Sequence, residues 1–298
     1  MADKKSYLKD LKDGSVKICL MVNKKLYKDG NKMIYLLSDK SGYINAKIPA
    51  KVKLDPGQVI EIEGTKDYIL DVFQVKIIED YNIDDYLATV SRNIDEIMKD
   101  IEAISRECII SPQGKILDDY FFKDERFLEK FKRGIGGVSM HHNYIGGLAE
   151  HTLGVMYLTK ILCDIYDCRR REIAVLSAKL HDIGKIYEMD CSGPFKYTLE
   201  GELEGHIIIG VQMIDRAIIE LNIPFSEDFV TRIKGCITQH HGKLEYGSPK
   251  KANMEESIVL NFADTVDASL NKINQIKEET KEDTWSVYDK KMEMKLYL

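Results

Sequence analysis

Residues 179–185 read KLHDIGK and close an apolar segment with a histidine directly before an aspartate, His181 and Asp182. An imidazole and a carboxylate in consecutive positions can both reach one metal ion, and both are common ligands of divalent transition metals. The carboxylate has a second oxygen, which can bind a second ion. All seven histidines of the chain lie between His141 and His241, so we expect them to build one site.

Five segments after residue 147 carry apolar residues at helical spacing and predict an all-α domain. Histidines and aspartates recur along these segments in the order H…HD…H…HH…D. A lone histidine near a helix end is more often structural than a ligand, but a repeat over five successive helices argues against that interpretation. The predicted metal ligands are His151, His181, Asp182, His206, His240, His241 and Asp264.

The region from residue 14 to residue 80 has a different pattern, with short apolar or alternating runs separated by turn residues. Five strands in so short a region predict a small closed barrel. The order of its turns and strands resembles the OB-fold modules that bind single-stranded nucleic acid. The five predicted strands are VKICLMV, KMIYLLSD, GYINAKIP, QVIEIEGT and ILDVFQVKIIED.

Charge is divided unevenly along the chain. Residues 1–53 hold thirteen lysines and five aspartates, a net charge of +8, which leaves −14 for the remaining residues of a chain whose total is −6. A basic front and an acidic body suit a phosphate-binding module joined to a metal-binding catalytic domain. A lysine-rich solvated surface is the alternative interpretation.

An OB-like module would stack bases on aromatic rings while lysines follow the phosphates. For each ring, packing in the barrel core is the alternative. The candidate rings are Tyr27, Tyr35, Tyr43 and Phe73, and the candidate phosphate contacts are Lys24, Lys25, Lys28, Lys47 and Lys51.

We therefore predict a multidomain chain, with an OB-like all-β domain over 1–83, a helical connector over 84–135 and an all-α domain over 136–298. The start of the sequence has no apolar segment, and the longest apolar runs are too short for a membrane span. These features predict a cytoplasmic protein without a membrane partner. The six cysteines form no C-x-x-C pair and are expected to be reduced.

The order H…HD…D, with Lys185 after the HD pair, resembles the HD-domain metal-dependent phosphohydrolases, an all-α superfamily. The resemblance implies that His151, His181, Asp182 and Asp264 hold one ion. The additional histidines resemble those of two-metal members, so that Asp182 would bridge to a second ion held by His206, His240 and His241. Only one residue of the adjacent pair His240 and His241 needs to point inward, and whether both bind metal stays open.

The match extends to the YhaM-type 3′-to-5′ exoribonucleases across nearly the whole chain. It implies a metal-dependent nuclease that releases nucleoside 5′-monophosphates from the 3′ end of single-stranded RNA, with single-stranded DNA as a further substrate. It also implies two divalent ions, Mn²⁺ first and Co²⁺, Fe²⁺ or Zn²⁺ as alternatives, and a homo-oligomer. The five motifs that carry it are HHNYIGGLAEHT, LHDIGK, YTLEGELEGHI, HHGKLEYGSP and NFADTVDA.

Phosphodiester hydrolysis needs an activated water, neutralised phosphoryl oxygens and a stabilised leaving oxygen, and two ions about 3.5–4 Å apart can supply all three. Asp182 would set that separation. Lys185, one turn further on, is predicted to contact the phosphate or the leaving oxygen, although a surface lysine after a helix is the simpler interpretation without the family resemblance. We place further residues on the substrate side or in support of the ligands: His141, His142, Tyr197, Tyr246, Ser248 and Asp267. Structural capping is the alternative for His141 and His142, and an exposed helix acid is the alternative for Asp267.

Two other hypotheses remain. An HD phosphohydrolase of free or cyclic nucleotides would have no evident need for a basic OB-like domain. A non-catalytic nucleic-acid-binding protein with a structural metal is disfavoured by the ligand set, because structural sites rarely need a second, partly open ion.

Overall fold

The computed structural model describes residues 4, 6–138, 142–278, 280, 282–289 and 292–298. It divides into two compact units, one of residues 1–91 with 190–197, the other of residues 92–189 with 198–298. The limits predicted from sequence for three regions, including the separate connector, stay a prediction. In the described part of the chain, none of the helices combines the length and apolar character needed to cross a bilayer.

The first unit contains a closed barrel with the strand order β1-β2-β3-β5-β4. The long strand β1 pairs with β4 along its first half and with β2 along its second half. A short parallel pairing of β3 with β5, through Ala46 with Leu70 and Lys47 with Asp71, completes the closure. The strands are β1 (Gly14–Asp29), β2 (Lys32–Asp39), β3 (Gly42–Pro49), β4 (Val59–Lys66) and β5 (Leu70–Ile78).

Apolar side chains fill the barrel, and its backbone is closely packed at one point. Between β4 and β5 the pairing register shifts at Gly64. A Cβ atom there would lie 2.5 Å from the carbonyl oxygen of Asp71, so only glycine fits. The core residues with no exposed surface include Leu20, Val22, Leu37, Ile48, Ile60 and Ile62.

Tyr35 corrects one prediction. Its side chain is 1% exposed and belongs to the barrel core, so its ring offers no face for a base. The rings of Tyr27, Tyr43 and Phe73 are exposed, as the stacking hypothesis requires. Lys24 and Lys25 are also exposed, in the second half of β1, whereas Lys47 is half-buried and pairs with Asp29.

The second unit is helical. Its sequence supplies a capping side chain at several helix starts, where Asn93, Ser111, Asp124, Thr198 and Ser226 each accept a backbone N–H of the first turn. A barrel followed by an all-α domain confirms the predicted fold class. The helices are α1 (Ile94–Cys108), α2 (Pro112–Phe122), α3 (Glu125–Arg133), α4 (Gly147–Tyr166), α5 (Arg171–Leu180), α6 (Lys185–Glu188), α7 (Leu199–Leu221), α8 (Glu227–Gln239) and α9 (Glu255–Glu278). Two short strands pair with each other, β6 (Met189–Asp190) and β7 (Lys196–Tyr197), and all of their residues except Met189 belong to the first unit.

The third helical segment of the sequence, HIIIGVQMIDRAIIEL, predicts a helix that begins at His206, and the structure differs. Helix α7 begins at Leu199 and is broken at Gly205, where φ is 74° and ψ is 156°. This conformation is essentially restricted to glycine. The break starts a new helical segment at His206.

Candidate metal centre

Four predicted ligands converge in the helical unit, one from each of α4 and α9 and two from the end of α5. We call His151, His181, Asp182 and Asp264 the first ligand group. The Nε2 atoms of His151 and His181 are 3.2 Å apart, and each lies 3.4 Å from Asp182 Oδ2. Asp264 Oδ1 is 3.3 Å from His151 Nε2. Ligand atoms about 2.1 Å from one ion lie roughly 3.0–3.5 Å from each other, so this group fits one divalent ion.

The other oxygen of Asp182 faces a second set of imidazoles. Asp182 Oδ1 lies 3.5 Å from His206 Nε2 and 3.6 Å from His240 Nε2. His206, His240 and His241 each offer a nitrogen within 4.8 Å of the others. We call Asp182 with these three histidines the second ligand group. Asp182 therefore belongs to both groups, with one oxygen directed to each.

Two of the histidines are oriented by their own helices. His181 Nδ1 lies 2.8 Å from the carbonyl oxygen of Ala178, and His240 Nδ1 lies 2.7 Å from that of Ile237. A carbonyl oxygen only accepts, so each Nδ1 carries the proton and donates. With the proton on Nδ1, the Nε2 of each ring can offer the lone pair that a metal ligand needs.

Two other histidines are oriented by carboxylates from elsewhere in the unit. His151 Nδ1 donates to Asp267 Oδ2 at 2.7 Å, and His206 Nδ1 donates to Glu188 Oε1 at 3.0 Å. Carboxylates in this position fix the tautomer of a ligating histidine and increase its basicity. Asp267 therefore supports a predicted ligand, as one interpretation of the sequence had it.

Buried polar atoms without a partner test whether these residues fit a metal. Four buried atoms of the second ligand group have no hydrogen-bond partner within the described part of the chain: Asp182 Oδ1, His206 Nε2, His240 Nε2 and His241 Nδ1. Such atoms are costly unless something satisfies them. Asp182 Oδ1 is an acceptor, and Nε2 of His206 and of His240 carries a lone pair because Nδ1 of each ring donates. A cation between them would satisfy these three atoms together.

The charges of the carboxylates agree with this fit. Burial alone would raise the pKa of Asp182, but Lys185 and His181 outweigh it and hold the pKa well below its usual range. Burial would also raise the pKa of Asp264, but the hydrogen bond from His151 outweighs it and the pKa lies well below its usual range. Both carboxylates are therefore ionised in this environment.

The imidazoles divide into two kinds. Burial lowers the pKa of His240 well below its usual range and also lowers that of His241, so both rings are neutral, as imidazole ligands of a metal must be. Burial also acts to lower the pKa of His151, but the surrounding carboxylates, led by Asp182 and Asp264, raise it well above its usual range. These surroundings favour a positive charge at His151 Nε2, which a divalent ion would provide.

Lys185 lies beside the shared aspartate. Its ammonium group is 2.6 Å from Asp182 Oδ2 and donates to the carbonyl oxygen of Gly136 at 2.7 Å. Both contacts are buried. Lys185 thus holds the carboxylate that both ligand groups share, and its predicted contact with a phosphate stays a prediction.

Glycines bring His206 close to the centre. The break at Gly205 frees the backbone N–H of His206, which donates to Glu188 Oε1 at 3.0 Å. The same oxygen accepts His206 Nδ1. On the other side, a Cβ atom at Gly184 would lie 2.1 Å from the carbonyl oxygen of His206, so the backbone can approach only a glycine.

The residues predicted on the substrate side separate into two kinds. His142 is buried, with Nε2 2.9 Å from Asp267 Oδ2 and Nδ1 3.0 Å from Glu150 Oε2, so it supports Asp267. Ser248 is a correction, because it is buried and its hydroxyl lies 2.7 Å from the carbonyl oxygen of Lys250 and 3.1 Å from that of Thr238. It fixes its own loop and is closed to a substrate.

Two predicted aromatics have exposed rings. Tyr246 lies in the turn after α8, and Tyr197 lies in the same unit as the barrel. Their predicted roles stay predictions. His141 lies outside the described residues.

Glu188 is not among the residues predicted from the sequence. It lies at the end of the short helix α6, and no regular spacing relates it to the ligands. The only sequence signal was an acidic residue one turn after Lys185, and its meaning depends on the break at Gly205.

Replacing Glu188 with glutamine is expected to lower metal affinity about 10- to 100-fold, because the partner of His206 Nδ1 would lose its charge. Isothermal titration with Mn²⁺ measures this. The matched control is Glu204→Gln on α7, where the carboxylate accepts the Gln212 amide and, among the residues that the structure describes, has no other hydrogen bond. Equal Mn²⁺ affinity in both variants would contradict the role of Glu188.

Comparison with known proteins places this geometry in a family. The model of the HD domain matches residues 148–269, a range that includes both ligand groups. The chain is 30% identical over 261 residues to the 3′-5′ exoribonuclease YhaM of Bacillus subtilis (strain 168), covering 83% of this chain and 81% of the relative. It is 30% identical to the YhaM of Geobacillus sp. (strain WCH70), over 83% of this chain and 78% of that relative. It is 29% identical to the YhaM of Listeria innocua, over 83% of this chain and 81% of that relative. The chain belongs to the YhaM family of 3′-5′ exoribonucleases.

Proposed function

We propose that this protein is a metal-dependent exonuclease that degrades single-stranded RNA, and single-stranded DNA as well, from the 3′ end to nucleoside 5′-monophosphates. The observation that carries the proposal is Asp182, which directs one oxygen to each of two groups of imidazoles. The direction of degradation and the preference for RNA rest on the similarity to these relatives, each a 3′-5′ exoribonuclease.

The first ligand group would hold one divalent ion and the second ligand group another, with Mn²⁺ the first candidate. When bound, the ions supply positive charge that makes a water nucleophilic at neutral pH and neutralises the phosphoryl oxygens. His240 and His241 both belong to the second ligand group, with their free nitrogens buried. We therefore infer that both of them contribute to it.

The chain's own residues prepare the site for this chemistry. Lys185 fixes Asp182 between the two ligand groups, and Glu188 fixes His206. Asp267 fixes His151 and is itself held by His142. Such support keeps the ligands in place before a substrate arrives, so little reorganisation is needed during the reaction.

The experiment that tests the proposal is a time course on 5′-labelled single-stranded RNA with EDTA, Mg²⁺, Mn²⁺ or Co²⁺, resolved at single-nucleotide spacing. We expect a ladder that shortens from the 3′ end only when metal is present. Intact RNA together with hydrolysis of free or cyclic nucleotides would instead identify a nucleotide phosphohydrolase.

The barrel is proposed to hold the strand through exposed lysines. In the described residues, Lys24 and Lys25 form no ion pair. Replacing both with glutamine should weaken oligonucleotide binding and reduce the slope of log K against log salt by about 1.4, because each phosphate contact on a single strand contributes about 0.7. Fluorescence anisotropy at several salt concentrations measures this.

The control for this prediction is the double change Lys17→Gln and Lys66→Gln. These ammonium groups already pair with Glu63 and Asp13, so their loss should leave the slope nearly unchanged. Equal slopes in the two double variants would remove Lys24 and Lys25 from the RNA-binding surface.

A further inference from the structure

A second polar cavity lies in the helical unit, lined by α2, α3, α6 and α7. Its volume is about 330 Å³, within the usual range for small-molecule sites. None of its lining residues belongs to either ligand group. The residues that bear on its chemistry are Tyr120, Arg126, Phe127, Lys130, Tyr187 and Arg216.

Three cations line this cavity without a neutralising partner. Within the described part of the chain, Arg126, Lys130 and Arg216 have no carboxylate within ion-pair distance. Other arginines of the same unit do have one, as Arg171 has in Asp164 and Arg232 in Glu256. Unpaired cations around one cavity, in the acidic part of the chain, favour an anionic ligand.

The acidic groups beside the cavity are already engaged. Asp124 lines it, but its carboxylate caps α3 by accepting the backbone N–H of Arg126 at 2.9 Å. Glu220 accepts the hydroxyl of Tyr120 at 2.6 Å. Neither carboxylate neutralises the three cations through an ion pair.

An aromatic ring gives the cavity a second kind of contact. Tyr187 is 38% exposed, and Lys130 Nζ lies 4.4 Å from the centre of its ring. A nucleobase can stack on such a ring, and the displaced ammonium group is then free to bind a phosphate. Arginine side chains bind phosphate through two parallel hydrogen bonds, which suits Arg126 and Arg216.

We propose that this cavity binds a phosphorylated nucleoside, with the base on Tyr187 and the phosphate on Arg126, Lys130 and Arg216. The nucleotide has two sources, a free mononucleotide or one nucleotide of a bound RNA strand. Binding of a nucleotide from an RNA strand rests on the proposed nuclease function, whereas binding of a free mononucleotide does not.

Helix α6 connects this cavity to the metal centre. Lys185 and Glu188 of α6 contact Asp182 and His206, and Tyr187 lies between them in sequence while lining the cavity. A nucleotide on Tyr187 would therefore contact the helix that holds Asp182 and His206, without touching a metal ligand.

The test for the free nucleotide is titration of adenosine 5′-monophosphate into the EDTA-treated full chain by calorimetry. EDTA removes metal-dependent phosphate binding at the ligand groups. We expect saturable binding that weakens about tenfold or more in the double variant Arg126→Gln and Arg216→Gln. The control is Arg106→Gln with Arg169→Gln, an equal charge change on exposed residues outside the cavity.

The test for the strand uses equilibrium binding of labelled oligonucleotides of graded length, also in EDTA, so that it does not depend on hydrolysis. If the strand is the source, the cavity variant binds longer oligonucleotides about tenfold more weakly than the control variant does, and the shortest ones equally. Tyr187→Leu should weaken binding of the mononucleotide or of the longer oligonucleotides, whichever the cavity variant also weakens. Tyr187→Phe should preserve that binding, because phenylalanine keeps the stacking ring. Cavity and control variants that bind the mononucleotide and all oligonucleotides equally would overturn the proposal.

Discussion

Replacing Asp182 with asparagine is expected to reduce hydrolysis by about three orders of magnitude or more, since metal ions contribute several kcal/mol of transition-state stabilisation. An amide is neutral and offers only one acceptor oxygen. It would direct an N–H₂ group toward the imidazole nitrogens of one ligand group. In the unchanged protein these nitrogens lie 3.4 to 3.6 Å from the carboxylate oxygens of Asp182. Metal content by elemental analysis and turnover of labelled RNA measure the effect.

The matched control is Asp215→Asn on α7, which removes a partly exposed carboxylate paired with Lys234. It should leave both metal content and turnover unchanged. Binding of oligonucleotides to the Asp182 variant should stay close to that of the unchanged protein, because the barrel is proposed to hold the strand. An Asp182→Asn protein that retains turnover would exclude a metal mechanism at this centre.

Replacing Lys179 with alanine is expected to destabilise the protein by about 3–5 kcal/mol, because it leaves a buried carboxylate without its partner. Lys179 Nζ lies 2.6 Å from Asp118 Oδ1, and both side chains are buried. The change also removes a contact of the ammonium group with the Phe122 ring at 3.9 Å. Urea unfolding followed by circular dichroism measures the free energy of unfolding.

The loss of folding stability in the Lys179→Ala variant is expected to depend on pH in one direction. Burial raises the pKa of Asp118 in the folded protein, and the charge of Lys179 opposes that shift. Without Lys179 the raised pKa rises further. A raised carboxyl pKa gives stability that is present below the unfolded pKa and lost as pH increases through the folded pKa. The deficit of the variant should therefore be smallest in acid and grow toward neutral pH.

The double change Lys179→Met with Asp118→Leu replaces the pair with apolar side chains and should recover most of the lost stability. If the double variant is as unstable as the single one, the loss comes from packing and not from the unpaired carboxylate.

The seven candidate ligands stand out in the sequence because each lies at a helix end or on one helix face, where imidazole and carboxylate are conspicuous among apolar residues, and their binding of metal stays a prediction. The structure brings all seven into two groups that share Asp182. Glu188 could not be found in this way. Its role depends on the contact that the break at Gly205 allows between His206 and the end of α6, and helical spacing does not reveal a contact between two different helices.

Tyr35 shows a second limit of prediction from sequence, which concerns the buried face of a strand. Alternation of apolar and polar residues assigns the inner face of a strand only where neighbours differ. In β2, Ile34 and Tyr35 are both apolar and both buried, so the pattern alone could not place the ring. The same strand was nevertheless identified correctly, because its existence depends only on its apolar content and its flanking turns.

The two ways of orienting a histidine make different demands on the chain. His181 and His240 hydrogen-bond carbonyl oxygens three residues earlier, so any helix that ends in this way carries its ligand with the correct tautomer. His151 and His206 depend on Asp267 and Glu188, which lie far away in sequence or beyond a helix break. Of the five predicted imidazole ligands, His181 and His240 could thus be transplanted by copying single helices into another scaffold. His151 and His206 must be moved together with the carboxylates that orient them.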